Sequence, residues 1–464
     1  MTKNVGKQKD QIMADYSRID SYFQNNLDQN LSELSKLVAQ PSVGAQNLGI
    51  QECAEMTAEL VRKRGFETRI IPTEGYPVVF AERKGIKNKT LLFYCHYDVQ
   101  PAEPFDLWET PPFEPNLRDG KLFGRGVSDD KGHITSRLFA IDALLEQFGE
   151  LPCNIKFIIE GEEEIGSIHL PDFVKKNKEL LAADACIWEF GGVDHEETPV
   201  QYLGLRGICY VELSVNTANI DVHSGLGGSI FPNAAWRLVW ALNTLKDKDE
   251  HIRIPGHYDH VIPPSDRDRQ LMELLPESAD DYKNRYGVDH FINGLTDGVE
   301  LRIAEVFQPT CTICGLTSGY QGQGSKTVLP ARASAKVDFR LVPDQNPEQI
   351  LKQLREHLDS EGFQDIEINY LGGGPAARTD PDDPFIKKVL ETAYQVYGTE
   401  MKIIPLSGGS GPNYPFVHDL GLPVATAGLD YPDSRAHAPN ENIRIDLYLK
   451  HARHMATLIL EFSN

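Results

Sequence analysis

Short, mostly apolar segments alternate with helical segments in the first part of the chain. Residues 90–94, 155–159 and 185–188 have the composition of strands buried on both faces of a sheet. Apolar residues recur at helical spacing between and before these strands, at residues 19–38, 50–64, 134–148 and 171–178. Because parallel strands need crossover connections, which are usually helices, this alternation predicts an α/β domain with a largely parallel sheet.

A different pattern begins after Arg206 and predicts a second domain. The predicted strands and helices of this part cover residues 209–215, 233–245, 333–341 and 347–360. A long polar stretch extends to about Glu300 between them, and the glycines at 372–374 predict a flexible exit. This arrangement indicates an α+β insertion.

The first pattern then resumes towards the C-terminus. Helices are predicted at residues 384–397 and 447–462, and a strand at residues 402–405. We therefore expect a catalytic domain in two parts, residues 1–210 and 376–464, which is interrupted by a domain at residues 211–375.

Length and charge restrict the classes of function. A chain of 464 residues exceeds the usual size of one compact domain. Acidic residues outnumber basic ones by 68 to 46, which gives a formal charge of −22 and opposes binding to phosphate backbones or anionic lipids. Neither nucleic acid nor a membrane is an expected partner.

The N-terminal sequence and the cysteines favour a cytoplasmic location. Residues 1–20 lack the apolar core of a signal peptide, and no apolar run approaches the roughly 20 residues that span a bilayer. The seven cysteines are scattered and give no disulfide framework. Cys311 and Cys314 form a C-x-x-C, but without a second pair we expect buried structural thiols.

The apolar segment TLLFYC leads directly into His96, Tyr97 and Asp98. Ligands bind at the carboxyl ends of strands in open α/β sheets, so His96 and Asp98 are candidates for a site. Either both side chains bind metal, or Asp98 accepts the second imidazole proton of His96, and we favour the latter. Taken alone, a histidine at a strand end is more often a satisfied polar residue.

Two further acidic clusters strengthen the prediction of a metal site. The loop GRGVSDDKG places Asp129 and Asp130 next to a predicted helix, and its glycines do not match a dinucleotide or P-loop pattern. The segment IEGEEEIGS places Glu163 and Glu164 directly after an apolar strand. One carboxylate of such a cluster can bind metal while its neighbour, with a raised pKa, transfers protons. Glu189 also follows an apolar segment.

Together these stretches resemble the metallopeptidase family that includes carnosine and other cytosolic dipeptidases, aminoacylase, glutamate carboxypeptidase and succinyl-diaminopimelate desuccinylase. The similarity extends over essentially the whole chain and is greatest to the carnosine-type dipeptidases. The segments that carry it are CHYDVQPAEPFDLWETPPFEP, DGKLFGRGVSDDKG, IEGEEEIGS, GLRGICY, DVHSG, GSKTVLP and DFRLVP. The resemblance implies a catalytic domain with a mixed, largely parallel sheet, interrupted by an α+β, ferredoxin-like lid and dimerisation domain.

The resemblance also implies a dinuclear zinc site. By motif position, His96 and Glu189 bind one zinc ion and Glu164 and His437 the other, while Asp129 bridges the two. Because sites of histidine and carboxylate also accept Mn²⁺ or Co²⁺, the native metal stays open.

Catalytic and substrate-binding roles follow from the same motif positions. Glu163 is the implied general base, Asp98 orients His96, and the peptide bond between Asp129 and Asp130 is expected to be cis. His223 is implied to reach the active site of a partner subunit, which predicts a homodimer. The residues implied to contact the substrate are Thr327, Arg340 and Ser410.

Two positions depart from the carnosine-dipeptidase pattern. Glu189 stands where aspartate is usual, and glutamate there is more typical of the carboxypeptidases, deacylases and desuccinylases of the family. Ser407 stands where a glutamate is common, which affects recognition of a free amino group. We predict hydrolysis of dipeptides or short peptides, with N-acyl amino acid deacylation, desuccinylation or carboxypeptidase activity as the alternative.

Two other classes of protein are less favoured. A serine hydrolase would use Ser410 and His437, but the segment GGSGP lacks the last glycine of a nucleophile elbow and leaves the acidic clusters unexplained. A binding module that has lost catalysis should lack ligands or the base, whereas every such position is occupied.

Overall fold

The computed structural model describes residues 16–276 and 278–464. Its helices are α1 (Tyr16–Ala39), α2 (Ile50–Arg62), α3 (Lys131–Phe148), α4 (Leu170–Lys176), α5 (Lys178–Leu181), α6 (Ser224–Gly227), α7 (Ala234–Leu245), α8 (Asp266–Glu273), α9 (Ala279–Tyr286), α10 (Val299–Phe307), α11 (Pro347–Ser360), α12 (Pro384–Tyr397) and α13 (Ile445–Ser463). None of the helices in the described part of the chain combines the length and apolar character needed to cross a bilayer.

The strands in these residues range from two-residue pairs to long core strands. They are β1 (Glu67–Ile71), β2 (Val78–Arg83), β3 (Gly85–His96), β4 (Asn116–Arg118), β5 (Lys121–Phe123), β6 (Leu151–Glu160), β7 (Ala185–Trp188), β8 (Gly192–Val193), β9 (Pro199–Tyr202), β10 (Gly204–Leu205), β11 (Gly207–Asn216), β12 (Val222–His223), β13 (Thr312–Ser318), β14 (Val328–Leu329), β15 (Arg332–Leu341), β16 (Glu367–Gly374), β17 (Ala377–Arg378), β18 (Lys402–Ile404), β19 (Val424–Thr426) and β20 (Asn442–Arg444).

The first compact unit contains a mixed, largely parallel sheet. It comprises the described part of Met1–Leu203 together with Thr379–Ile403 and Pro415–Asn464. The strand order is β1-β2-β6-β3-β7-β19, in which β6, β3, β7 and β19 run parallel. β6 is buried along its whole length, and helices α1, α3, α12 and α13 contribute to the core. The predicted α/β class is confirmed.

The second compact unit is an α+β fold with an antiparallel sheet. It comprises Gly204–Arg378 and Ile404–Tyr414. Its strands lie in the order β13-β15-β11-β16, all antiparallel, and α7 and α11 pack on one face. Along the chain the main elements follow the order β11-α7-β13-β15-α11-β16. This βαββαβ order, together with the strand order in the sheet, is that of a ferredoxin-like domain, as expected. Alternate residues of β11, such as Cys209 and Val211, face that core.

Residues 404–414 belong to the second unit, whereas the predicted boundary at residue 376 placed them in the C-terminal part of the catalytic domain. The Ser407 N–H donates to the carbonyl of Gly204 at 2.8 Å, and the Arg206 N–H donates to the carbonyl of Gly409 at 2.9 Å. These backbone hydrogen bonds attach the segment to the beginning of the second unit.

Two local expectations, the flexible exit at the glycines and the burial of Cys314, were wrong, and helices were not predicted in one further stretch. Gly372–Gly374 end strand β16 instead of forming a flexible exit; glycine is required because a Cβ on Gly373 would lie 2.1 Å from the Ile208 carbonyl oxygen. The polar stretch before Glu300 contains α8 and α9, which are short amphipathic helices. Cys314 is exposed beside a β-bulge, whereas Cys311 is buried as expected.

Candidate metal centre

Three predicted site segments follow the carboxyl ends of adjacent parallel strands. β3 ends at His96, β6 ends at Glu160, and β7 ends at Trp188. β3 pairs in parallel with both β6 and β7. The residues at these ends therefore meet at one edge of the sheet, where open α/β sheets bind ligands.

The other site residues come from loops around this edge. Glu163 and Glu164 begin a short 3₁₀ turn just after β6, and Glu189 directly follows β7. Asp129 precedes α3, and its peptide bond to Asp130 is cis, as the resemblance implied. His437 has a left-handed backbone with φ of 62° in the loop before β20.

Asp129 lies between two histidines. Its Oδ1 is 2.8 Å from His96 Nε2, and its Oδ2 is 2.9 Å from His437 Nε2. Glu164 Oε2 is 3.1 Å from His437 Nε2, and Glu189 Oε2 is 3.9 Å from His96 Nε2. Each oxygen of Asp129 thus faces a different imidazole, and each imidazole has a second carboxylate nearby.

These side chains form two groups that could each hold a metal ion. The ligand atoms of His96, Glu163 and Glu189 lie within 4.8 Å of one another, and so do those of Asp129, Glu164 and His437. The structure therefore brings together all five residues that the sequence predicts as metal ligands, with the predicted base Glu163 beside them.

The electrostatics of the cluster reflect an excess of carboxylates. Burial, together with neighbouring carboxylates, raises the pKa of Glu163 and Glu189 well above the ordinary value. Burial acts to raise the pKa of Asp129 as well, but the imidazoles of His437 and His96 hold that pKa below its usual range. Hydrogen bonds to Asp129 and Glu164 raise the pKa of His437 to about 10.

A divalent cation fits this donor set. Imidazole nitrogens and carboxylate oxygens are ligands for Zn²⁺, Mn²⁺ and Co²⁺. Glu189 Oε2 is buried and has no hydrogen-bond partner among the described residues, and an unpartnered buried carboxylate oxygen is costly. A cation would satisfy this atom and offset the repulsion between the carboxylates.

Asp98 connects His96 to the acidic turn. Its Oδ1 lies 3.4 Å from His96 Nδ1, while its own backbone carbonyl lies 3.0 Å from the same nitrogen. The carboxylate also accepts hydrogen bonds from the N–H groups of Glu163 and Glu164, at 3.2 and 3.0 Å. Asp98 therefore contacts the His96 nitrogen that is opposite the one facing Asp129. It does not belong to either group of possible metal ligands.

Two supporting residues were not found from the sequence. Gln100 donates from its backbone to Glu164 Oε1 at 3.1 Å and from its side chain to Oε2 at 2.9 Å. Buried Glu441 accepts from the Arg125 guanidinium and from the N–H of Asp129, at 2.7 and 3.1 Å. Their positions in the sequence could have indicated them, because Gln100 lies two residues after Asp98 and Glu441 lies four residues after His437.

The remaining predicted residues lie in the second unit and form two pairs. Arg340 Nη1 donates to Ser410 Oγ at 2.9 Å, and its Nε donates to Asp338 Oδ2 at 3.0 Å. The exposed ring of His223 places Nε2 3.3 Å from Thr327 Oγ1. The two pairs offer a guanidinium, two hydroxyls and an imidazole.

Comparison with known proteins agrees with this chemistry. The family model described as Peptidase family M20/M25/M40 matches residues 92–461. The human Beta-Ala-His dipeptidase is 30% identical over 83% of this chain and 78% of its own length. The Cys-Gly metallodipeptidase dug1 of Schizosaccharomyces pombe is 28% identical over 94% of this chain and 96% of its own.

A solved structure gives the same result. The M20 family metallo-carboxypeptidase Sso-CP2 from Sulfolobus solfataricus is 37% identical, has a TM-score of 0.90, and is matched over 94% of this chain and 99% of its own. The family model covers well over half of the sequence, and the clustered histidines and carboxylates supply the ligands for metal-dependent catalysis. The chain therefore belongs to peptidase family M20/M25/M40 and is a metallopeptidase.

Proposed function

We propose that this enzyme hydrolyses the amide bond of dipeptides or other short peptides with a dinuclear zinc site. The observation that carries the proposal is the position of Asp129, whose two carboxylate oxygens face different imidazoles at 2.8 and 2.9 Å. The proposed ligands are His96, Asp129, Glu164, Glu189 and His437.

Glu163 is the proposed general base. When bound, the metal ions supply Lewis acidity to the scissile carbonyl and lower the pKa of a nearby water. Glu163 then takes the proton of the attacking water and delivers it to the leaving nitrogen. Burial and the neighbouring carboxylates raise the pKa of Glu163 above its ordinary value, which makes its carboxylate a stronger proton acceptor.

Arg340 is the proposed partner of the C-terminal carboxylate of the substrate. Its guanidinium is oriented by Asp338 and Ser410, and a planar guanidinium can bind a carboxylate through two parallel hydrogen bonds. Ser410 and Thr327 offer hydroxyls for further substrate contacts. His223, exposed on the same unit, is proposed to stabilise the oxyanion in a partner subunit.

Carboxypeptidase or N-acyl amino acid hydrolysis is the second candidate. Glu189 and Ser407 both depart from the carnosine-dipeptidase pattern, and the identity to the metallo-carboxypeptidase, 37%, exceeds the 30% to the human dipeptidase. All of these reactions cleave an amide next to a free carboxylate, so they share the proposed role of Arg340. They differ in whether the substrate carries a free amino group.

A substrate panel separates the two candidates. Zinc-loaded enzyme is assayed against β-Ala-His, Cys-Gly and Ala-Leu, and against N-benzoyl-Gly-Phe, N-acetylmethionine and N-succinyl-diaminopimelate. We expect rapid hydrolysis of at least one free dipeptide and loss of that activity with EDTA. Hydrolysis of N-blocked compounds alone would replace the dipeptidase proposal by the second candidate.

A homodimer is proposed from the surface of the second unit. Trp236 and Trp240 stack at 5.8 Å on α7 and remain 57% and 55% exposed, and Val239 lies on the same helix. Ile313 and Leu316 on the edge strand β13 are also more than half exposed. Exposed apolar surface of this kind marks an interaction site, and homodimers are the commonest assembly of soluble proteins.

Complementation tests the dimer and His223 together. H223A and E163A are each expected to be inactive, and both are mixed after reversible dissociation. If His223 acts across the dimer, mixing restores about a quarter of wild-type activity, because half of randomly paired dimers are mixed and each has one intact site. A monomeric mass near 51.9 kDa, or no recovery from mixed dimers, would contradict the proposal.

The proposed location is the cytoplasm. All seven cysteines are free, which is typical of proteins in a reducing compartment.

The proposed native metal is zinc, and metal analysis of enzyme purified without added metal distinguishes it from manganese and cobalt.

A further inference from the structure

Arg206 is a buried arginine in the second unit that binds the end of a helix. Only 5% of the residue is exposed. Its Nη1 donates to the carbonyl of Glu305 at 2.8 Å and its Nη2 to the carbonyl of Gln308 at 2.6 Å. These carbonyls lie at the C-terminus of α10, where unpaired acceptors and the helix dipole favour a positive charge.

The backbone around Arg206 holds the loop that carries Ser410. The Arg206 N–H donates to the carbonyl of Gly409 at 2.9 Å, and the Ser410 hydroxyl donates to the carbonyl of Gly207 at 3.2 Å. The same hydroxyl accepts the hydrogen bond from Arg340. Arg206 and Gly207 thus fix the loop from the backbone side, while the Arg206 side chain fixes α10.

The charges of Arg340 and Asp338 act on the Arg206 guanidinium. Burial, followed by the positive charge of Arg340, lowers the pKa of Arg206 to about 10, so Arg206 remains charged at neutral pH. Asp338 is the carboxylate paired with Arg340, and its Oδ1 and the Arg206 Nε have no hydrogen-bond partner among the described residues. Arg206 therefore adds a positive charge to the surroundings of the Arg340–Asp338 pair.

We infer that Arg206 is a positioning residue, which holds Arg340 and Ser410 in place and so sets the selectivity for substrates with a free C-terminal carboxylate. The inference deepens the proposed function and rests on the proposed role of Arg340. Without the Arg206 side chain, residues 206 and 207 lose their anchor on α10. The backbone groups that hold Gly409 and Ser410 are then less fixed, and Ser410 is the acceptor that orients the Arg340 guanidinium. The consequence is weaker binding of a carboxylate, with less effect on a neutral carboxamide.

The test compares an acid substrate with its amide. The free dipeptide that the enzyme hydrolyses fastest in the panel above and its C-terminal carboxamide are assayed with wild type, R206M, R340M and R355M. Arg355 is the matched control because it too donates to two backbone carbonyls of the second unit, those of Ile366 and Phe363 at 2.6 and 2.9 Å. The readout is the ratio of kcat/KM for acid over amide, which a partly unfolded sample does not change.

We expect the wild type to prefer the acid by about 100-fold or more, on the scale of a charged hydrogen-bonded pair. R340M should abolish most of this preference, R206M should lower it at least about tenfold through a higher KM for the acid, and R355M should leave it unchanged. If R206M does not fold, R206K, which keeps the charge but loses the two-pronged donation, should still lower the ratio.

Different failures have different meanings. A ratio that stays at the wild-type value in R206M or R206K while R340M loses it overturns the inference and leaves the proposed function standing. A uniform fall for acid and amide shows that Arg206 only supports the fold and also overturns it. Equal acid and amide rates in both wild type and R340M remove the proposed role of Arg340, and the inference with it.

Discussion

Asp98 Oδ2 accepts a hydrogen bond from the backbone N–H of Glu164 at 3.0 Å. The other oxygen of the same buried carboxylate faces the N–H of Glu163 at 3.2 Å and the His96 ring at 3.4 Å. Asp98, two residues after the end of β3, thus contacts both the proposed metal ligand His96 and the acidic turn after β6. We therefore propose that Asp98 holds the proposed base and ligands in their relative positions.

Replacing Asp98 by alanine should weaken metal binding without unfolding the enzyme. The two backbone N–H groups and the His96 ring lose a common acceptor, and changes to groups that support metal ligands typically cost about 10- to 100-fold in affinity or activity. Zinc affinity is measured by competition with a chromophoric chelator. An affinity in D98A equal to that of the wild type would contradict this role, and E103A, at an exposed position in a nearby loop, is the control.

Zinc binding should release protons at neutral pH. In the metal-free protein, hydrogen bonds to Asp129 and Glu164 raise the pKa of His437 to about 10, so its imidazole is protonated at pH 7.5. Because only neutral imidazole binds metal, the proton must leave when zinc binds, and affinity must rise with pH. Calorimetry in two buffers of different ionisation enthalpy counts these protons. H437Q should release about one proton fewer, and heats independent of the buffer would refute the prediction.

His454 should make folding stability depend on acid pH. Burial lowers the pKa of this histidine to about 4, whereas an unfolded histidine titrates near 6.5. Between these values the unfolded chain binds a proton that the folded unit excludes, so stability is complete above pH 6.5 and falls as the pH drops towards 4. Between pH 7 and 5 this one group accounts for a loss of about 2 kcal/mol in the free energy of unfolding.

Urea unfolding of EDTA-treated protein at pH 7 and pH 5 measures this loss. H454L should show a smaller decrease between the two pH values than the wild type, whatever its absolute stability. H195Q, at an exposed histidine of the same unit, should keep the wild-type decrease. Equal decreases in H454L and wild type would show that His454 does not titrate differently in the two states.

The metal centre could be located from the sequence because strand ends are visible there. Apolar runs that stop at His96, Glu160 and Trp188 predict buried parallel strands, and the topology of such a sheet brings their ends together. Local pattern alone could not assign roles, since a single histidine at a strand end is usually a satisfied polar residue. The resemblance of several motifs, in this order, to the metallopeptidase family resolved this ambiguity.

Features that depend on tertiary contacts were not predicted. Gly373 resembles a linker residue in the sequence, but the close approach of the Ile208 carbonyl in the folded sheet requires glycine there. Gln100 and Glu441 act on neighbours far away in the sequence, which local spacing does not reveal. Helix α8 did carry a local signal, the capping box between Ser265 and Asp268, but its short length hid the helical periodicity.

The most direct test of the central claim is the metal content and turnover of E163Q. The carboxylate of Glu163 lies within 4.8 Å of ligand atoms of His96 and Glu189, so the experiment separates a base from a ligand. We predict that E163Q retains two zinc ions per chain, as the wild type does, while kcat falls by about 10²- to 10⁴-fold. Near-normal kcat, or loss of a zinc ion from E163Q, would contradict the assignment of Glu163 as the base of a dinuclear site.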